Sequence, residues 1–313
     1  MKATAIANSN IAFVKYWGKK AEGNIPMNAS ISMTLDSVLS TKTTVEFSPK
    51  YDKDEFILND KKETGEKLER VSKFLDIFRC GSNAKIVSVN TFPTASGIAS
   101  SASGFAALAA ACNKSMELNM TDTQLSALAR KGSGSASRSI YSGFVEWSGE
   151  SAKQLQDEVY WEELRDIVVI VSSGEKKISS RDAMKLTQDK SKLYKERIKN
   201  IDKTLEIVRK AISRKDISVL AESIMKESDN MHACIEEIGI KYLNETSHAI
   251  KEIITNLNSN GIIAAYTFDA GPNAHIITTK KNLPKIKDAL FAFGKLIVSK
   301  PGKGVRYSEE HLF

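Results

Sequence analysis

The chain has 313 residues, 42% of them hydrophobic and 27% charged, with a formal net charge of +7. That composition is globular, with room for two ordinary domains. There is neither a bilayer-length apolar run nor the continuous hydrophobic segment of a secretory signal, so a cytoplasmic protein is expected. Cys80, Cys112 and Cys234 are far apart, odd in number and without CxxC spacing, and the four histidines form no HExxH pair, which argues against a disulfide framework and a zinc site.

Taken in order, the first half mixes strands with helices. TKTTVEFS, DEFILN and AKIVSVN read as strands, and EKLERVSKFLDIFR carries apolar residues at helical spacing. FPTASGIASSASG leads into FAALAAACNKSMEL, an alanine-rich helix with Cys112 in its packing face. TDTQLSALARKG reads as a helix capped by Thr121 or Asp122, with Gly132 just past its end. GFVEW returns as a strand. Composition shifts near SGESAKQLQDEVYWEEL, so the domain boundary is expected near residue 163, dividing the chain into 1–163 and 164–313. The strand DIVVIVSS opens the second half. Three helices follow, in KLYKERIKNIDKTLEIVRK, ISVLAESIMKESDNMHACIEEI and SHAIKEIITNLNS, the first reading as a solvated, lysine-rich face. IIAAYTF and AHIITT flank DAGPN as strand–turn–strand, and LPKIKDALFAF, with Pro284 near its start, closes as a helix. The whole is α/β (α+β), with halves expected to pack tightly.

The excess positive charge favours an anionic partner and leaves nucleic acid, a membrane surface and a phosphorylated metabolite open. Aromatics are not interleaved with the lysines, so a nucleic-acid stacking platform gains no support.

Several segments are suited to anions. NTFPTASGIASSASG runs from a strand through a small-residue loop into a helix, offering backbone N–H groups and the hydroxyls of Ser96, Ser100, Ser101 and Ser103, with Gly97 and Gly104 permitting close approach. It is neither a Walker A loop nor a GxSxG elbow, and it reads equally as helix packing. KGSGSASRSIYSGFVEW adds Arg138, a permanent cation with a planar fork. NSNIAFVKYWGKK sets Asn10, Lys15, Tyr16 and Lys19 around a strand end. EKKISSRDAM supplies Lys176, Ser179, Ser180 and Arg181 where a helix starts. AYTFDAGPNA places Asp269 between an apolar run and a Gly-Pro turn, either as a turn cap or as a catalytic base.

In this order, NIAFVKYWGK, IPMNASISMTLD, NTFPTASGIASSASG, ARKGSGSASRSIYSGFVEW and AYTFDAGPNA resemble the mevalonate diphosphate decarboxylase family, from about Ala5 to about Val305. The resemblance implies the two-domain GHMP-kinase fold. Its N-terminal domain is of the ribosomal-protein S5 type with a left-handed crossover, its C-terminal domain is ferredoxin-like, and the active site lies in the cleft between them. It implies conversion of mevalonate 5-diphosphate and ATP to isopentenyl diphosphate, ADP, phosphate and carbon dioxide, with Mg²⁺, in a homodimer that binds neither nucleic acid nor membrane.

By motif, Asp269 would accept the proton of the C3 hydroxyl, Lys15 would neutralise charge beside it, and Arg138 with Asn10 would hold the substrate carboxylate. Tyr16, Lys19, Ser135 and Arg181 would bind the diphosphate. Ser96, Gly97, Ser100 and Ser101 would bind ATP phosphates, with Ser101 near the metal, and Ser179 and Ser180 would approach the nucleotide from the second domain. The chain is shorter than the animal members of the family. Arg181 and KYWGK favour the diphosphate over a monophosphate. A mevalonate 3-kinase is disfavoured by Arg138 and Asn10, and a noncatalytic anion or RNA binder by the cleft motifs.

Overall fold

Small side chains decide how the first half is assembled. The strand Lys2–Asn8 turns Ala3, Ala5 and Ala7 inward, and these meet the helix Ser100–Ser115, whose buried face is mostly alanine. With no bulk on either side, helix and sheet approach closely and fill their interface at core density. A computed structural model describes residues 1–92, 100–171 and 178–313.

Six strands form the sheet under that helix, in the order 306–308, 2–8, 40–47, 84–90, 55–58 and 61–63. Pairing is antiparallel except between Glu55–Leu58 and Ala84–Asn90. A second sheet runs 151–156, 144–148, 30–34 and 10–14. A third, in the second half, runs 264–268, 274–279, 164–170 and 295–299, all antiparallel. The strand Leu164–Ile170 is covered on both faces. Leu164 and Val168 join a core with Ile11, Phe13 and Met33 of the first half and Leu205 and Ile224 of the second, while Ile167 and Val169 pack under the helices Glu245–Leu257 and Leu283–Leu290. One apolar core therefore crosses between the halves, as their expected tight packing requires.

Sequence periodicity located most elements within a few residues. Ala84–Asn90 and Ala274–Thr279 match their expected strands. The alanine-rich helix begins earlier than expected, at Ser100. Ser103 is weak in helix propensity, but its buried hydroxyl lies 2.7 Å from Thr41 Oγ1 and 3.3 Å from Ser9 Oγ, and this tertiary network holds the first turn. Thr121 is the N-cap of Asp122–Gly132 and closes a capping box with Gln124. Gly132 is the last helical residue rather than a cap beyond the end. A Cβ there would lie 2.1 Å from the Phe105 ring, so glycine is needed for side-chain clearance.

The lysine-rich helix, Lys192–Arg214, exposes Lys192, Lys195, Lys199, Lys203 and Lys210, as a solvated face should, and turns its other side inward. Tyr194, Arg197, Ile201, Leu205, Val208 and Ile212 form a buried stripe. Arg197 is inside because its guanidinium is paired with the carboxylate of Glu227.

Candidate active site

The strand Ala264–Phe268 ends with Phe268 fully buried, its N–H donating to Ser228 Oγ at 3.1 Å. The turn that follows closes through backbone, Gly271 N–H to Asp269 C=O at 2.7 Å, and Ser247 Oγ donates to the Pro272 carbonyl. These bonds aim the next side chain at the first half. Lys15 Nζ meets Asp269 Oδ1 at 2.8 Å, the lysine side chain 3% exposed and the carboxylate 33%. A carboxylate bound to a buried ammonium, yet one-third open to a cleft, is arranged to meet a ligand. Behind it His232 stacks edge-on against Phe268, and burial, with Lys15 next, pushes its imidazole down to about 4. It is neutral at pH 7 and adds no competing cation.

Arg138 comes from the short helical stretch Gly134–Ile140. Its Nε donates to Asn10 Oδ1 at 3.2 Å and its Nη1 to Ser30 Oγ at 2.8 Å, beneath the Trp147 ring. Burial lowers its pKa to about 10, against the favourable field of Asp269, so it is charged at neutral pH. Asn10 is oriented in turn, its amide donating to Ser139 Oγ at 2.8 Å and to the Ser135 carbonyl at 3.0 Å. Arg138 thus sits on neutral donors and acceptors, and its charge faces the cleft.

That cleft has a volume of about 1330 Å³ and is walled by both halves. Asn10, Lys15, Tyr16, Lys19, Ser101, Ser135, Arg138, Ser179, Ser180, Arg181 and Asp269 all line it. Ser100, at the N-terminal end of its helix, is exposed and is not among the lining residues. Ser96 and Gly97, with Lys176, lie outside the described residues. Ser179 also caps its helix, accepting from Asp182 N–H and donating to the Asp182 carboxylate at 2.6 Å.

Lys19 marks the electropositive end. Burial, then Arg181 and Arg70, lower its ammonium to about 8, with Asp182 opposing. Cations held against their own repulsion call for a polyanionic ligand. Nearby, the Tyr16 ring packs edge-on to Trp147 with centroids 4.7 Å apart. Its buried hydroxyl has no hydrogen-bond partner among the described residues. Burial raises that phenol's pKa and Arg138, Arg181 and Arg130 oppose the shift, so the group stays a neutral donor.

Ser101, Ser133 and Ser135 form a hydroxyl cluster, Ser133 Oγ lying 3.1 Å from Ser101 and 3.3 Å from Ser135. Among the described residues no three His, Cys, Asp or Glu side chains could hold a metal ion together. Mg²⁺ needs no such cage, because it usually binds on substrate phosphates with few protein ligands. A serine hydroxyl beside phosphates fits that ion, and Ser101 lines the cleft.

Sequence reasoning missed Arg70 and Lys73 on the helix Glu66–Leu75, which wall the cleft, and Glu227 and Arg197, which hold the Lys15 backbone. The buried stripe of residues 194, 201, 205 and 208 includes position 197, and that periodicity is the signal that was available.

Two family models match. The N-terminal domain of diphosphomevalonate decarboxylase-like proteins covers residues 7–158, and the C-terminal domain of mevalonate 5-diphosphate decarboxylase covers 166–303. Diphosphomevalonate decarboxylase of Candida albicans is 38% identical, over 98% of this chain and 92% of its own length. That of Saccharomyces cerevisiae is also 38% identical, over 99% and 85%. The crystal structure of mevalonate diphosphate decarboxylase from Staphylococcus aureus superposes with a TM-score of 0.93 at 39% identity, over 98% of both chains. A structure described as MDDEF in complex with MVAPP, AMPPCP and magnesium gives 0.93 at 37% identity, over 99% of each chain. No helix among the described residues is long and apolar enough to cross a membrane. Matched along nearly its whole length in sequence and in fold, the chain belongs to the diphosphomevalonate decarboxylase family.

Proposed function

We infer that the protein converts mevalonate 5-diphosphate and ATP to isopentenyl diphosphate, ADP, phosphate and carbon dioxide. The observation that carries this reading is the Lys15–Asp269 pair at 2.8 Å in the cleft that Arg138 also lines. A 3-hydroxy acid has no β-carbonyl to accept electrons, so direct loss of carbon dioxide is unfavourable. Phosphorylating the tertiary hydroxyl creates a leaving group. Its departure builds positive character at C3, and the electrons of the breaking carboxylate bond become the alkene.

Asp269 accepts the hydroxyl proton as the oxygen attacks the terminal phosphoryl group. A carboxylate is a weak base, so its fixed placement supplies much of the effect. Lys15, paired with that carboxylate at 2.8 Å, offsets charge on the phosphoryl oxygens. Arg138, held by Asn10 and Ser30, grips the substrate carboxylate through its remaining donors. Lys19, Arg181, Tyr16 and Ser135 hold the diphosphate, and Arg70 adds to the field at Lys19. Ser100, Ser101, Ser179 and Ser180 serve the nucleotide. Ser101 would help hold Mg²⁺, which would supply charge neutralisation at the phosphates. Domain closure over the nucleotide accounts for serines of both halves on one cleft. The division at 163/164 is retained, with residues 306–308 returning to the first sheet. A cytoplasmic homodimer completes the reading, on the family resemblance alone.

The test is to incubate the protein with ATP, Mg²⁺ and mevalonate 5-diphosphate while following ADP and carbon dioxide together. Matched release supports the decarboxylase. ADP without carbon dioxide supports a kinase, and neither product refutes both. Mevalonate 5-phosphate in a parallel run separates the two substrate preferences.

A further inference from the structure

The strand Asn10–Val14 pairs with Ser30–Thr34 only as far as Val14 opposite Ile31, so the peptide groups of Lys15 lie beyond the last ladder partner. Side chains take the ladder's place. The Lys15 N–H donates to Glu227 Oε1 at 2.8 Å, and its carbonyl accepts from Arg197 Nη2 at 3.2 Å and from Asn28 Nδ2 at 3.0 Å. Glu227 and Arg197 are paired with each other at 2.5 and 2.8 Å, their side chains 3% and 1% exposed. The pattern repeats along the segment. Tyr194 Oη donates to the Trp17 carbonyl at 2.8 Å, and Gln188 bonds both the N–H and the C=O of Lys19 at 2.8 Å. Peptides 15, 17 and 19 are thus held by residues of the second half.

A buried ion pair is a costly way to fill a core, and an apolar pair of similar volume often serves stability as well or better. Glu227 and Arg197 both bond the backbone of Lys15, one at its N–H and one at its C=O, on either side of its Cα. That residue carries the ammonium bound to Asp269. A lysine side chain has four rotatable torsions, so its Nζ keeps one position only if its Cα does. We propose that Glu227 and Arg197 are positioning residues for Lys15, a charged clamp that fixes its backbone so that Nζ stays on Asp269 and the phosphoryl group. Neither side chain touches the reacting atoms. The proposal deepens the decarboxylase reading and rests on it.

Two double variants separate this role from structural support, because both remove the ion pair as a unit and leave no unpaired buried charge. Glu227→Leu with Arg197→Met also removes the acceptor for the Lys15 N–H, whereas Glu227→Gln with Arg197→Met retains one. Both are checked for a cooperative melt and parental circular dichroism. In the Leu/Met variant kcat falls roughly 10- to 100-fold, as expected for a slight misplacement of a catalytic group. KM for both substrates stays within about twofold, the mark of an interaction that matters only in the transition state. The Gln/Met variant recovers much of the lost kcat. A folded Leu/Met variant with parental kcat overturns the clamp, as does a loss confined to KM or a Gln/Met variant no better than Leu/Met. Should neither double variant fold, Asn28→Ala decides, since it removes one grip on the Lys15 carbonyl. Lower kcat at unchanged KM supports the clamp and parental kcat overturns it. Absence of ADP and carbon dioxide release from the unsubstituted protein overturns the activity reading and the clamp together. Parental turnover in the folded Leu/Met variant overturns the clamp alone.

Discussion

Asp269→Asn separates catalysis from folding. The amide keeps the shape of the side chain and an oxygen able to accept from Lys15 Nζ, which stands 2.8 Å away; only the charge and the basicity are lost. Breaking a fully buried pair costs about 3–5 kcal/mol and an exposed one at most about 1. Here the lysine side chain is 3% exposed but the carboxylate 33%, so solvent screens one partner. With the hydrogen bond retained, the cost is about 1–2 kcal/mol, a fall in Tm of a few degrees for a chain of this size. Removing a general base costs roughly 10²- to 10⁴-fold in rate, about 3–5 kcal/mol on the barrier. The catalytic loss therefore exceeds the loss of stability, and at 25 °C the variant stays folded. ADP and carbon dioxide are measured under saturating substrates, the affinity for a nonhydrolysable ATP analogue by calorimetry, and Tm by circular dichroism. Both products should fall together while analogue affinity is kept. Turnover within about tenfold of the parent in the folded variant would refute the base assignment, because an amide cannot accept the proton.

Further outcomes follow from neighbouring groups. Arg138→Gln, judged by a parallel ADP and carbon dioxide assay, lowers turnover roughly 10²-fold or more, and in the remainder ADP exceeds carbon dioxide because the carboxylate is no longer held. The Lys19 ammonium, lowered to about 8 by burial, Arg181 and Arg70, is charged below that pH and neutral above it. KM for the diphosphate substrate therefore rises as pH increases through about 8, while the phosphate charge is constant there, and Lys19→Arg flattens the profile. Gly134→Ala would set a Cβ 2.7 Å from the Tyr16 ring and 2.8 Å from Trp147. Tyr16 is displaced, KM rises, and overpacking costs about 1–3 kcal/mol in a denaturant melt. Gly132→Ala, against Phe105 at 2.1 Å, costs a similar amount with less effect on KM.

How much of this was legible depended on where each residue's partner lies. Lys15, Arg138 and Asp269 stand in short segments of distinctive composition, and the structure brings all three to one cleft from residues 15, 138 and 269 of the chain. Ala84–Asn90 and Ala274–Thr279 were legible because β-branched residues cluster within each short run. The strand Ser30–Thr34 was not read, although SISMT alternates polar and apolar residues; what its sequence hides is that the polar face is also buried, with the Ser30 hydroxyl on Arg138. Glu227 and Arg197 looked like ordinary helix charges. Their meaning lies in a contact spanning 212 and 182 residues. Arg70 and Lys73 likewise read as surface cations on an amphipathic helix until that helix is seen to wall the cleft.

The strand Arg306–Ser308 lies beside Lys2–Asn8, with Tyr307 opposite Ala5, and Thr4 Oγ1 meets His311 Nδ1 at 2.7 Å. The strand 2–8 therefore waits for one made about 300 residues later in the chain. At synthesis rates of roughly 5–20 residues per second, its outer edge stays unpaired for about 15–60 s. An edge left open for that long is a site where a second nascent chain can add a strand, and the sheet is safe from it only once residues 306–308 have emerged.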